Sequence, residues 1–319
     1  MRTYRETYDE ARARLTGSGD AEADLDARIL LEETCGTDYG TLFTDGGREV
    51  TDGEYRRYTE WIDLRAAHRP VAYILGKQEF MGLPFRIDRH VLIPNQDTEN
   101  LVEEAMKELH DGMRILDLCT GSGCILLSLL HYSNGCTGIG TDLSVDALEV
   151  ARGNGEALGL SDRAVFLQGD LFDALDGRAQ TMPAKAALLQ TVRSDNAPAE
   201  SERPDGCFQM IVSNPPYIRS GEIEALAPEV KTEEPHMALD GGPDGLLFYR
   251  RIITGAPAFL AVGGLLLMEI GADEGEAVGG LLRDGGFLDV QVLKDYGGHD
   301  RVVRGECGLT AKHAGRNEG

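Results

Sequence analysis

From residue 99 onward the sequence repeats one pattern: a short apolar run, an abrupt polar or glycine-rich stop, then a longer stretch with helical periodicity. "RILDL", "GIGTD", "AVFLQGD" and "CFQMIVSN" are the runs; "CILLSLLHY" and "SVDALEVARGNGEALG" are two of the stretches between them. Runs of this length bounded by turn residues read as buried strands, and the intervening stretches read as helices. A parallel neighbour can be reached only by a crossover, so strand–helix alternation dictates an open, mostly parallel α/β sheet. "GGLLLMEIG", "LDVQVLKD" and "RVVRGE" supply further strands, and a helix over Glu99 to His110 precedes the first.

The residues at the stops carry the chemistry. Asp117, Asp142, Asp170 and Asn214 each stand at the carboxyl end of a run, where open α/β sheets bind ligands. In "DLCTGSGC", Gly121 and Gly123 permit a tight turn and close backbone approach to a ligand. The rival reading, a G-x-G-x-x-G dinucleotide fingerprint, meets Leu126 where its third glycine belongs, and an acidic residue precedes the loop. A carboxylate there repels a pyrophosphate and suits a cationic amino group, which favours S-adenosyl-L-methionine over NAD. Asp142 is placed to accept from both hydroxyls of a ribose, although an aspartate before a helix also reads as a cap. Asp170 is placed to accept from an adenine amino group, with a surface loop carboxylate as the alternative.

In "IVSNPPYIRS" two consecutive prolines end a strand, since neither donates to a ladder and each fixes its φ. Asn214 is thereby held on a rigid backbone with its carboxamide available. A planar nitrogen is a poor nucleophile because its lone pair is delocalised. Two acceptors gripping its N–H bonds, the Asn214 side-chain oxygen and the Pro215 carbonyl, favour pyramidalisation and aim the lone pair at a sulfonium methyl. Tyr217 is placed to pack against the plane of that group. Such catalysis works by positioning and electrostatics and needs no base before transfer.

Residues 1 to 75 contain helical patterns and no strand pattern. Leu25, Ile29 and Leu30 mark a helix face ending near Gly36, and Thr51 caps a second segment that stops at Pro70. In 76 to 98, Phe85 and Ile87, then Val91 and Ile93, alternate with polar residues on either side of "DRH", which predicts a β-hairpin joining two domains. The polar stretch at about 177–205 reads as an inserted surface loop, and 307–319 as a loose tail. With 31 Lys plus Arg against 54 Asp plus Glu, the net charge of −23 lacks the electrostatic footprint of a nucleic-acid binder. No apolar run reaches the length of a membrane span and the start is charged and amphipathic, so a soluble, cytoplasmic protein is expected. Six cysteines show no C-x-x-C pair and no zinc-like spacing with the seven histidines, so no metal or disulfide is expected.

Together, "DLCTGSGCI", "GDLF" and "NPPYI" resemble the class I S-adenosylmethionine-dependent methyltransferases that modify planar nitrogens. "RPVAYILGKQEFMGLPFRIDRHVLIP", "DTENLVEEA", "EPHMALDGGPDGLLFYRRII", "LLLMEIG" and "GHDRVVRG" extend the likeness over about residues 20 to 305, and narrow it to release factor glutamine methyltransferases. The resemblance implies a Rossmann-like methyltransferase domain over 99–306 with a seven-stranded sheet, and a helical substrate-docking domain over 1–75. It implies methylation of the glutamine of the Gly-Gly-Gln motif in class 1 peptide chain release factors. Asp117, Cys119, Thr120, Gly121, Ser122, Gly123, Asp142, Asp170, Leu171 and Asn214 would bind S-adenosyl-L-methionine. Asn214, Pro215, Pro216 and Tyr217 would hold the substrate, with Asn214, Pro215 and Tyr217 in the catalytic role. Two departures stand out: Asn95 and Gln96 replace the Arg and Pro usual before "DTE", and the 177–205 stretch is inserted. A ribosomal-protein glutamine methyltransferase and a DNA adenine-N6 methyltransferase share "NPPY" and are the alternatives; the second expects a basic groove that this composition lacks.

Overall fold

A computed structural model describes residues 2–175 and 208–308; the 177–205 insertion and residues 309–319 of the tail lie outside the described residues. The chain divides into two compact units, one of residues 1–77 plus 226–233 and one of residues 78–225 plus 234–319.

The first unit is built on three helices: α1 (Tyr4–Gly17), α2 (Ala23–Cys35) and α3 (Asp52–Ala66). Thr3 and Thr51 open α1 and α3 with capping boxes, each hydroxyl accepting an N–H three residues on while Glu6 or Glu54 reaches back. Gly36 ends α2 at φ 61°, a left-handed conformation glycine adopts without strain. Tyr4, Tyr8, Leu15, Leu30, Leu31, Tyr58 and Ile62 form the core. The buried face of α2 is Ala27, Leu30, Leu31 and Thr34, whereas Leu25 is 39% exposed. The expected face was therefore rotated, because i, i+3, i+4, i+7 governs a helix stripe. A two-residue strand pair, Arg2–Thr3 with Glu49–Val50, was also not foreseen. Arg65 donates to Asp26 at 2.5 Å and to Asp20 at 2.8 Å, and Glu233 pairs with Arg69 at 3.1 Å.

The predicted hairpin is real but sits earlier in the chain. Its strands are β1 (Lys77–Phe80) and β2 (Leu83–Arg86), and the turn is Met81–Gly82, with φ 52° and 72°. Two consecutive positive φ values are what a tight two-residue hairpin turn demands. "DRH" is not a turn between strands: Asp88 accepts the His90 N–H at 2.9 Å, and residues 87–94 form no strand.

The second unit follows as α4 (Gln96–Lys107), β3 (Arg114–Leu118), α5 (Cys124–His131), β4 (Thr137–Asp142), α6 (Val145–Ala157), β5 (Ala164–Gln168), β6 (Phe208–Ser213), α7 (Leu247–Gly255), β7 (Leu260–Glu269), α8 (Gly275–Asp284), β8 (Phe287–Lys294) and β9 (Asp300–Cys307). Its seven-stranded sheet runs β8-β9-β7-β6-β3-β4-β5. The five strands from β7 to β5 are mutually parallel, and β9 pairs antiparallel with β7 and β8. The strand residues Leu116, Leu118, Ile211, Leu266 and Met268 pack with Tyr249, Ile252, Val278 and Leu282.

This topology fixes the site. From β3 the chain steps outward through β4 to β5, then returns to β6 on the other side of β3, so the order reverses between β3 and β6. Such a switch point opens a crevice at the carboxyl ends of the strands. Register aligns the strand ends: Thr141, Leu118, Ser213 and Met268 are successive partners across the sheet. Asp142, Cys119, Asn214 and Glu269 are therefore the next residues along four adjacent strands.

Candidate active site

A cavity of about 340 Å³ opens at this edge, within the range of small-ligand sites. One wall is the loop after β3. Cys119 has φ 59°, and Gly121 and Gly123 have φ 54° and 79°. The loop is sewn to its neighbour by Thr120 N–H donating to Thr141 O at 3.0 Å and Gly121 N–H donating to the Asp142 carboxylate at 2.9 Å. The second Asp142 oxygen accepts from Ser144 N–H at 2.9 Å. Asp142 thus turns the chain into the following helix, whose N-cap is Ser144 rather than Asp142, and it also pins the glycine loop. Burial raises its pKa against the opposing bonds from Ser144, Gly121 and Leu143.

Cys119, Thr120, Gly121 and Ser122 line the cavity, together with Asp142, Asp170, Leu171, Asn214 and Pro216. Asp170 also pairs with Arg251 at 2.9 Å. Four expected residues do not line it: Asp117, Gly123, Pro215 and Tyr217. Asp117 is fully buried under the loop and accepts from Thr120 Oγ1 at 2.5 Å; burial pushes its pKa up to about 7. A Cβ on Gly123 would meet Leu127, Phe166 and Ala151 at 3.1–3.3 Å, so this glycine serves helix packing. The Tyr217 hydroxyl donates to Glu269 Oε1 at 3.2 Å.

Among the described lining residues there is no Lys or Arg, while Asp142, Asp170 and Asp240 are present. This wall suits a cationic ligand with a neutral ribose and adenine, and opposes a pyrophosphate. The donor set therefore fits S-adenosyl-L-methionine.

Beyond Asn95, which stands out in the sequence only as a departure, several residues of the site are not foreseen. Thr98, 3% exposed, accepts the Asn214 Nδ2 hydrogen at 3.0 Å. Asn95 is the N-cap of α4, its Oδ1 accepting Thr98 N–H at 3.0 Å. Asn154, 1% exposed, donates to Ser122 O at 2.9 Å and to Arg86 O at 3.0 Å, tying the glycine loop to the hairpin. Residues 90–94 line the cavity too. Only the Asn95 cap had a local signal, an Asn ahead of Thr-Glu at a helix start.

Glu269 ends β7 fully buried, and burial raises its pKa from 4.5 to about 7, with Thr98, Arg301 and Tyr217 favouring the charged form. Its native carboxyl holds a proton that the unfolded chain has already released, so its contribution to stability is largest below about pH 4.5. That contribution is lost as pH rises toward 7, by on the order of 3 kcal/mol. Glu269→Gln is expected to flatten this decline; denaturant titrations at pH 5 and pH 7.5 check it, and an unchanged difference in stability counts against it.

The chain is similar to known proteins along most of its length. Residues 6–76 match the family model described as PrmC N-terminal domain, and residues 109–227 match a methyltransferase domain. Release factor glutamine methyltransferase of Bradyrhizobium diazoefficiens is 42% identical, covering 91% of this chain and 90% of that protein. The proteins of the same name from Cereibacter sphaeroides and Moorella thermoacetica are 40% and 39% identical, covering 91% and 94% of this chain and 93% and 96% of theirs. Among solved structures, the release factor-specific protein-(glutamine-N5) methyltransferase of Alicyclobacillus acidocaldarius is 27% identical, covering 70% of this chain and 99% of that one at a TM-score of 0.37.

Proposed function

The chain belongs to the release factor glutamine methyltransferase family, and we infer that it transfers a methyl group to the side-chain nitrogen, N5, of the glutamine in the Gly-Gly-Gln motif of class 1 peptide chain release factors. The observation that carries this reading is that Asn214 and the glycine loop line one cavity from adjacent strands, β6 and β3. When bound, S-adenosyl-L-methionine supplies an electrophilic methyl on a sulfonium. Asp142 would hold its ribose, Asp170 and Leu171 its adenine, and Cys119 to Ser122 the rest, with Asp117 bracing the loop from below through Thr120.

The chain's own residues provide the nucleophile's geometry. Asn214 Oδ1 would accept one N–H bond of the glutamine amide from the cavity wall and help turn its lone pair toward the methyl; the Pro215 carbonyl is kept as the second acceptor from its place next to Asn214 in the chain, although Pro215 is not among the lining residues. The cofactor would supply its methyl to the amide nitrogen and leave as S-adenosyl-L-homocysteine, and the nitrogen would give up its extra proton to solvent. Pro216 closes the wall of the cavity. Tyr217, bound to Glu269, steadies the loop rather than lying against the cavity. Residues 1–75 would dock the release factor, with which the protein shares the cytoplasm; no helix among the described residues is long and apolar enough to cross a membrane. No part in nucleic-acid binding is assigned.

Labelled S-adenosyl-L-methionine incubated with purified release factor tests the reading. Label is expected in the intact factor and absent from a Gly-Gly-Ala variant. Label that appears only when ribosomal proteins are supplied would favour the ribosomal-protein alternative.

Asp142→Ala is expected to weaken cofactor binding about 5- to 150-fold, since it strips acceptors from a ribose and frees the Gly121 N–H, a loss of about 1–3 kcal/mol. Calorimetric titration with S-adenosyl-L-homocysteine reads it, and unchanged affinity would mean the ribose is held elsewhere.

A further inference from the structure

The Asn214 carboxamide can grip a substrate N–H only with its oxygen facing the cavity. Its two ends are nearly the same size, so packing does not choose between them; hydrogen bonds must. Turned the other way, it would present NH₂ to the NH₂ of the glutamine.

We propose that Thr98 is the positioning residue that makes this choice, rests on the reading above, and acts through a relay that starts at Asn95. Thr98 backbone N–H donates at 3.0 Å to the Asn95 side chain, which fixes the Asn95 oxygen toward Thr98. That oxygen lies 3.3 Å from Thr98 Oγ1. An oxygen can only accept, so the hydroxyl proton points to it. Asn95 therefore draws the Thr98 proton away from Asn214. With its proton committed, Oγ1 faces Asn214 only as an acceptor, and takes the Nδ2 hydrogen at 3.0 Å. Asn214 Oδ1 is then left for substrate.

This gives the departure at position 95 a physical role. Asn95 does not stand in for the charge of an arginine. It opens α4 and orients the first link of a relay that ends at the reacting nitrogen.

The test compares Thr98→Val, which keeps the shape and removes the hydroxyl, with Thr98→Ser, which keeps the hydroxyl. Valine is expected to lower kcat about 10- to 100-fold, the scale of a misaimed reacting group, with KM for the release factor and affinity for S-adenosyl-L-homocysteine unchanged. Serine is expected to restore kcat to within about threefold of the parent enzyme. Undiminished kcat in the valine variant, or a serine variant as slow as valine, overturns the proposal. A second readout does not use turnover: proton exchange of the Asn214 side-chain amide, followed in ¹⁵N-labelled protein and assigned by its loss in Asn214→Asp. Exchange is expected to be at least about tenfold slower in the parent than in Thr98→Val, and equal rates overturn the relay. A parent enzyme that leaves release factor unmethylated would refute the proposed substrate, while the exchange rates would still decide the role of Thr98.

Discussion

Asn214→Ala is expected to lose about 100- to 1,000-fold in kcat, the scale seen when one preorganised hydrogen-bonding group is removed from a transition state. The glutamine amide would keep one acceptor, the Pro215 carbonyl, and its lone pair would no longer be turned toward the methyl. Cofactor affinity is expected to change far less, because the loop from Cys119 to Ser122 and Asp142 are held by β3 and β4 rather than by Asn214. The fold should survive as well, since Asn214 is half-buried at the mouth of the cavity and Ser213 anchors the end of β6 through Leu118 O at 2.7 Å. Single-turnover rates with saturating cofactor separate these effects. A variant that transfers methyl at the parent rate would remove Asn214 from the chemistry.

Gly241→Ala is expected to be comparably damaging for a different reason. The segment after "EPHM" is hydrogen-bonded along its backbone to the chain that follows "NPPY". Ile218 N–H donates to Leu239 O at 3.0 Å, Gly241 N–H to Ile218 O at 2.8 Å, and Ser220 N–H to Gly242 O at 3.0 Å. A Cβ on Gly241 would stand 2.6 Å from Tyr217 Cα, 2.7 Å from its carbonyl carbon and 2.8 Å from Gly245 O. These are backbone atoms, so no rotamer change relieves the overlap. The loop carrying Asn214 and Pro215 must shift, and a displacement of that order costs about 100-fold in turnover. Overpacking is also expected to lower stability by about 1–3 kcal/mol. Kinetics and denaturant unfolding on the purified variant check both. Normal turnover would show that the clasp and the loop are independent.

The glycine clasp and the relay behind Asn214 mark where local reading of the sequence stops. Strand ends at Asp142 and Asn214 were legible because apolar runs and their stops are local signals, and because parallel register carries them to one edge of the sheet. The helix after Ser144 was legible through its cap, whose hydroxyl accepts Ala147 N–H at 3.1 Å. The helix before β3, expected over Glu99 to His110, runs Gln96–Lys107 because Asn95 caps it three residues earlier. The hairpin was displaced because apolar alternation continues past Arg86, while the deciding signal was the pair of positive φ values at Met81 and Gly82.

The remaining residues had no local signal to give. Thr98 and Asn214 lie 116 positions apart, Asn154 and Arg86 lie 68 apart, and Tyr217 meets Glu269 across 52. Nothing about a threonine in the first turn of a helix says that a carboxamide from another strand will rest on its hydroxyl. Asp117 teaches the converse. Its position before the glycine loop suggested direct contact with a cationic group, whereas its carboxyl is buried and holds Thr120. Strand-end carboxylates can serve the loop as well as the ligand.

The central claim is that this site places a glutamine amide nitrogen against the cofactor methyl. Peptide mass mapping of a class 1 release factor, after incubation with the protein and S-adenosyl-L-methionine labelled in its methyl group, tests it most directly. A single added methyl is expected on the glutamine of Gly-Gly-Gln, released as methylamine on acid hydrolysis, and absent when Asn214→Ala replaces the parent enzyme. An unmodified glutamine, or a methyl on any other residue, would contradict it.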